Sequence, residues 1–440
     1  MQPDHIDAIQ GREPRFKALV PFFIFLVFYF GLSVWAGDFY RVPMPTAFLT
    51  ASAAALLLDR KRKLAEKVEI YARGMGNPDI MIMCLIFILA GAFAASAKAM
   101  GAVDSAVSIA RYLIPGKLLV AGIFIVSCFI SLAIGSGCGT IAALTPIAAG
   151  LINASGVSPA IMIGAVIGGA MFGDNMSMIS DTTIAATRTQ QVSMHDKFFT
   201  NLRMILPAAL ATVLIYVFSG HPGTFHSVPA PGWKDILTVL PYVLVLVCAL
   251  AGMNVMALLF CGTILTSAIG IISGSFNFWK ALGTIGEGTL GMSETLIVAI
   301  LAGGLLRMIR HNGGIDYLML KIGKRIHSAR GCEFGVFLLT SLINLFTANN
   351  TVAIVIAGPV AREFSLKYGC SPKRIASILD TASCAVQGLI PYGAQVLIAV
   401  GVAKTAGIAL SSLSVIQSLY YPFFLAVAVL ISIFFSRKNR

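Results

Sequence analysis

The chain has 440 residues, of which 57% are hydrophobic and 12% charged, with mean hydropathy +0.86 and a net charge of +13. Soluble domains carry about 25% charged residues, so this composition excludes an ordinary water-soluble fold. Apolar runs close to the roughly 20 residues needed to cross a bilayer recur from end to end, whereas a β-barrel would show short alternating segments. The expected fold class is an all-α polytopic membrane protein.

In chain order, a polar head, MQPDHIDAIQGREPRFK, precedes a first apolar run at 18–36. That run ends in WAGDFYRV rather than a small-residue cleavage site, so it reads as a retained helix, not a signal peptide. The further apolar segments of the first half fall near 44–58, 80–98, 118–134, 139–152, 160–187 and 203–219. Those of the second half fall near 236–250, 253–271, 292–310, 333–347, 350–361, 375–403 and 413–435. Several are too short for a full span, so about 10–14 membrane segments are expected, some of them broken or re-entrant. The eight cysteines form no CxxC pair and the six histidines no HExxH, which points away from a zinc enzyme and from any cofactor.

The two halves resemble each other. LAGAFAASAKAMGAVDSAV at 89–107 matches LAGGLLRMIRHNGGIDYLM at 301–319, and GVSP at 156–159 matches GCSP at 369–372, offsets of 212 and 213 residues. Basic residues alternate oppositely on this frame. The stretch 59–79 carries Arg60, Lys61, Arg62, Lys63, Lys67 and Arg73, but its counterpart 271–291 carries only Lys280. The loop 151–159 carries none, but 362–374 carries Arg362, Lys367, Lys373 and Arg374. Basic loops stay in the cytoplasm, so the halves are expected to be two inverted structural repeats, 1–219 and 236–440, joined outside the cytoplasm by the Gly/Pro-rich linker 220–235. Both termini then lie in the cytoplasm, and Trp35, Trp233 and Trp279 fall near the outer face. The positive charge is an orientation signal of a multi-pass protein of the bacterial inner membrane and does not imply nucleic acid.

Four polar interruptions break the apolar segments: GSGCGT (135–140), GDNMSMISDTT (173–183), TANNT (347–351) and QGLIPYGAQ (387–395). The repeat pairs the first with the third and the second with the fourth, aligning Asp174 with Gln387. Unwinding a helix inside a membrane frees backbone groups, which is tolerated only where protein or water satisfies them. Inverted repeats with broken helices at mid-depth are a mark of secondary transporters. Carboxylates, hydroxyls and amide oxygens in such breaks are hard ligands for a hard cation. The candidate ion or substrate residues are Asp174, Asn175, Ser180, Asp181, Thr182, Thr183, Thr140, Asn349, Asn350, Thr351, Asp380, Gln387, Tyr392 and Gln395, with Asp174 and Asp181 as the Na+ carboxylates. Asp380 aligns with Ile167, so the scaffold alone does not require it. Asp104 and Asp316 align with each other after glycine and read as helix N-caps. His195, in MHDK, reads as a solvated loop residue.

GDNMSMISDTT resembles the signature GDKxSPxSDTT of NhaC-type sodium/proton antiporters, and LDTASCAVQGLIPYGAQ is similar to that family's second-half region ending in IPW. Gly173, Asp174, Ser177, Ser180, Asp181, Thr182 and Thr183 match the first motif. Asn175 stands where Lys is common, Met178 where Pro is common, and Tyr392-Gly393 where Trp-Asn is usual. The resemblance implies an inverted-repeat ion transporter with paired hairpins, a homodimer, and exchange of Na+ (or Li+) for H+ by alternating access. A carboxylate away from water binds either a proton or Na+, and that competition alone couples the two. The alternative is Na+- or H+-coupled transport of an amino acid or small organic acid, for which Tyr392, Gly393 and the amides would make room. A membrane aspartyl protease would need GxGD, and Met171 occupies its first glycine, so an enzyme is not expected.

Overall fold

The computed structural model describes residues 13–36, 42–58, 62–113, 115–178, 180–218, 232–250 and 253–435. Most of the 220–235 linker therefore lies outside the described residues. Those described form helices and short connections, with no strand among them. The first half runs α1 (Val20–Leu26), α2 (Leu32–Ala36), α3 (Met44–Leu58), α4 (Leu64–Met75), α5 (Pro78–Met100), α6 (Ala102–Leu113), α7 (Leu119–Ile134), α8 (Gly137–Ser155), α9 (Pro159–Met176), α10 (Asp181–Gln190) and α11 (Met194–Phe218). The second runs α12 (Trp233–Leu250), α13 (Val255–Ile272), α14 (Phe278–Gly291), α15 (Ser293–His311), α16 (Gly314–Gly323), α17 (Ala329–Thr347), α18 (Asn350–Tyr368), α19 (Pro372–Gln387), α20 (Ala394–Thr405), α21 (Ser412–Gln417) and α22 (Tyr420–Phe435).

Five helices, α5, α8, α11, α17 and the broken α9–α10 pair taken as one, are long and apolar enough to cross a bilayer, and α14–α15 joins them if that pair, bent by 40°, counts as one span. Shorter apolar helices such as α3 and α22 accompany them. The basic stretch 59–79 is partly helical rather than a loop: α4 packs on α15, with the Tyr71 hydroxyl donating to the Leu301 carbonyl at 3.1 Å. Asp104 and Asp316 each stand third in α6 and α16, in the first turn rather than at the N-cap, where the helix dipole still favours a carboxylate.

The repeat is visible in local structure. Helices α8, α9 and α10 begin 213 residues before α18, α19 and α20. Left-handed residues end α7 and α17 at Gly135 and Ala348, and end α8 and α18 at Gly156 and Gly369. Pro146 and Pro359 interrupt the interiors of α8 and α18 at matching positions. On the first side Ser131 donates to the Ala170 carbonyl at 2.5 Å; on the second, 213 residues on, Asn344 donates to Ser383 O at 2.7 Å.

Glycines let α9 lie tightly on α7. A Cβ on Gly173 would stand 2.4 Å from both Leu132 N and Ser131 Cβ, and one on Gly169 would stand 2.3 Å from the Phe124 carbonyl. Packing then crosses between the halves: α10 lies on α18 and α19, and α20 lies on α8 and α9. A cation from the opposite half satisfies the last carbonyls of each short helix, as unpaired C-terminal carbonyls require. Arg362 donates to Gln190 O at 2.7 Å, and Lys98 donates to Ala406 O at 2.8 Å.

Candidate functional site

The break between α9 and α10 spans Ser177–Ser180, and the one between α19 and α20 spans Gly388–Gly393. Each sits inside the cross-packed centre. Asp174 lies in the last turn of α9 and is only 7% exposed. Its Oδ1 accepts from the Ser180 hydroxyl at 3.0 Å, and Ser180 shares a second bond with the Thr182 hydroxyl at 2.7 Å. Its Oδ2 accepts from Asn350 Nδ2 at 3.3 Å. Gly137 lies against it, so that a Cβ there would be 3.5 Å from Asp174 Cβ. Ser180 precedes α10, Asn350 begins α18 and Gly137 begins α8, so three helix N-termini face one carboxylate. Among the described residues Asp174 has no ion-pair partner.

Asp380 differs. It is fully buried in α19 and forms an ion pair with Lys197, itself 1% exposed. The ammonium also donates to Asn175 O at 2.7 Å and Thr183 Oγ1 at 2.8 Å, and Thr183 in turn donates to Asp380 Oδ2 at 3.2 Å. One helical turn on, Asn201 donates to Asn175 O at 2.9 Å and Oδ1 at 2.7 Å. Asn201 Oδ1 accepts from Ser377 and Thr381, both at 2.7 Å. The break after α9 is thus clamped from α11 and α19, and the resident ammonium satisfies one of the two buried carboxylates.

Lys197 and Asn201 are absent from the residues expected from sequence. The stretch MHDK reads as a loop, but it forms the first turn of α11, where the Ser193 hydroxyl accepts from Asp196 N at 3.1 Å. Helix α11 therefore starts nine residues before the apolar segment 203–219. His195 is exposed on its outer face, and Lys197 turns inward.

The expected residues divide into groups. Asp174, Ser180, Thr182 and Asn350 converge; Asn175, Thr183 and Asp380 gather on Lys197. Asp181, the first residue of α10, is exposed and is not brought into the buried cluster. Asn349 caps α18, its Oδ1 accepting from Val352 N at 3.0 Å, which leaves the adjacent Asn350 to reach Asp174. Thr351 is half-buried, and the buried Thr140 donates to Ser136 O at 3.0 Å within its own helix. In the second half, Gln387 Nε2 donates to Ala348 O at 2.9 Å and Gln395 Oε1 at 2.8 Å, and Gln387 Oε1 is buried with no partner among the described residues. Tyr392 donates to Leu345 O at 2.6 Å, and its ring is enclosed by Phe22, Phe25 and Phe48.

Apolar helices broken at two buried polar points, with a carboxylate at one and an amide at the matching point, define a multi-pass membrane transporter. The family model described as "Na+/H+ antiporter family" matches residues 17–221 and 232–436, so the chain belongs to that family. It is 26% identical to the Na+/H+ antiporter NhaC of Bacillus subtilis (strain 168), covering 89% of this chain and 91% of that one. It is 24% identical to the NhaC of Alkalihalophilus pseudofirmus, over 90% and 89%. A malate-2H+/Na+-lactate antiporter of Bacillus subtilis is 19% identical over 87% and 88%.

Proposed function

We propose that this secondary antiporter exchanges Na+ (or Li+) for H+ at Asp174. The observation that carries the reading is the contrast between the two buried carboxylates. Asp380 holds a resident ammonium, while Asp174 has two neutral donors and no cation among the described residues. A buried charge must be paired or neutralised, so Asp174 needs a proton or a metal cation. Burial works against its ionised form, and the three helix N-termini and two hydrogen bonds work for it. Binding Na+ requires releasing the proton, and protonation expels Na+. The carboxylate crosses loaded with one or the other, and exchange follows from that competition without a separate coupling device.

The Ser180 and Thr182 hydroxyls and the amide oxygen of Asn350 are the neutral ligands assigned to the cation. Exposed Asp181, at the mouth of the same break, attracts cations without holding them. Lys197 clamps Asn175 O, Thr183 and Asp380, keeping the α9–α10 break in shape when Asp174 changes charge. The halves act as inverted repeats, 1–219 and 236–440, in the bacterial inner membrane, with cytoplasmic termini and as a homodimer. Movement of α9–α10 and α19–α20 relative to the remaining helices then exposes the site to either side in turn.

The test is dissipation of a pH gradient in everted vesicles by Na+, Li+ and K+. Wild type is expected to respond to Na+ or Li+, and Asp174→Asn to give no response at equal membrane abundance. Wild type without any cation response, but with labelled malate or amino acid uptake, would replace this reading with organic-substrate transport.

A further inference from the structure

Away from the broken helices, a cavity of about 880 Å³ opens between α11, α17, α22 and the first turn of α19. Its lining has two distinct parts. At one end stand the exposed side chains of Arg203, Arg330 and Lys373. Beside them Arg374 is already neutralised, bonding Glu333 at 2.6 Å and Ser432 O at 2.6 Å. The Glu333 carboxylate is thereby committed, and three cations remain without an acidic partner among the described residues. The other part is hydrocarbon: Pro207, Phe424, Val427 and Ile431 form a continuous wall, with Val427 and Ile431 more than half exposed.

Two of the three cations stand where helices begin, and Arg203 is the tenth residue of α11. Arg330 is the second residue of α17, and Lys373 the second of α19. The wall runs inward along α11 and α22, both apolar helices. Basic side chains at the end of membrane helices, continuous with an apolar wall, match an amphiphile with an anionic head and hydrocarbon tails. A small soluble anion would use the cations but leave the wall without a partner.

We propose that this cavity binds one anionic phospholipid. The phosphate lies among Arg203, Arg330 and Lys373, and the acyl chains lie along Pro207, Phe424, Val427 and Ile431. Two walls of the cavity are outer faces of the helices that meet at the ion pair: α11 carries Lys197 and Asn201 inward, and α19 carries Asp380. A bound lipid braces these helices together from outside.

The experiment uses the purified full chain in a neutral detergent. Native mass spectrometry and thermal unfolding are followed on titration with short-chain phosphatidylglycerol, short-chain phosphatidylcholine and glycerol 3-phosphate. Saturable retention and stabilisation by phosphatidylglycerol alone is expected. Arg203→Gln/Arg330→Gln/Lys373→Gln should weaken that binding by about tenfold or more, since each basic residue contributes to attraction of an anionic head group. Ile431→Glu, which puts a carboxylate on the apolar wall, should weaken it too. If the triple variant does not fold, the single exposed variants Arg330→Gln and Ile431→Glu carry the test, each expected to weaken binding. Equal binding of phosphatidylcholine overturns the head-group assignment. Equal stabilisation by glycerol 3-phosphate overturns the lipid in favour of a soluble phosphate. Undiminished phosphatidylglycerol binding by the variants overturns the site.

Discussion

Replacing Lys197 by Met keeps most of the side chain's volume and removes its charge. The partner Asp380 is 0% exposed and Lys197 1% exposed, so both lie out of reach of bulk solvent. Breaking a buried ion pair by removing one member costs about 3–5 kcal/mol. That range is the loss expected for Lys197→Met, with Thr183 still donating to the stranded carboxylate. Asp380→Asn alone strands the ammonium and should cost a similar amount, whereas Lys197→Met/Asp380→Asn removes both charges and should recover most of it. Unfolding in mild detergent, for all four proteins, measures these differences. A Lys197→Met loss below about 1 kcal/mol, with no recovery in the double variant, would match a solvated pair and refute the reasoning.

Asp181→Asn removes an exposed carboxylate from the first turn of α10, so it should cost no more than about 1 kcal/mol of stability. In the vesicle assay it should raise the Na+ concentration for half-response while leaving exchange intact; complete loss would make Asp181 a holding carboxylate. Gly173→Ala places a methyl group 2.4 Å from the backbone of Leu132. Because the obstacle is main chain, about 1–3 kcal/mol of stability should be lost by overpacking, visible as a lower melting temperature in detergent.

Much of the architecture was legible in the primary structure because repeats and helix breaks leave compositional marks. The GVSP and GCSP stretches match at the same spacing as the paired left-handed caps Gly156 and Gly369. The glycine, hydroxyl and amide clusters at 173–183 and 387–395 mark the two breaks. Asp174 stood out because a carboxylate in an apolar run needs a reason. Burial at the break was not legible: Asp174 and Asp181 are similar in sequence setting, and only the packing of α8 and α18 against one of them separates them. Adjacent amides posed the same problem. Asn349 and Asn350 differ in that the first is spent on capping. Lys197 and Asn201 were hidden because His, Asp and Lys in MHDK outweigh a fainter signal. Positions 197, 201, 204, 205 and 208 form one inward stripe at helical spacing, all buried, which marks Lys197 as a core position.

The Na+ concentration giving half-maximal dissipation of the pH gradient, measured in everted vesicles at several pH values, tests the shared carboxylate most directly. If a proton and Na+ exclude each other at Asp174, that concentration should rise by up to about tenfold for each unit of acidification, while the maximal response at saturating Na+ stays constant. A half-maximal concentration that does not change with pH in a responding wild type, or an unaltered response in Asp174→Asn, would contradict it.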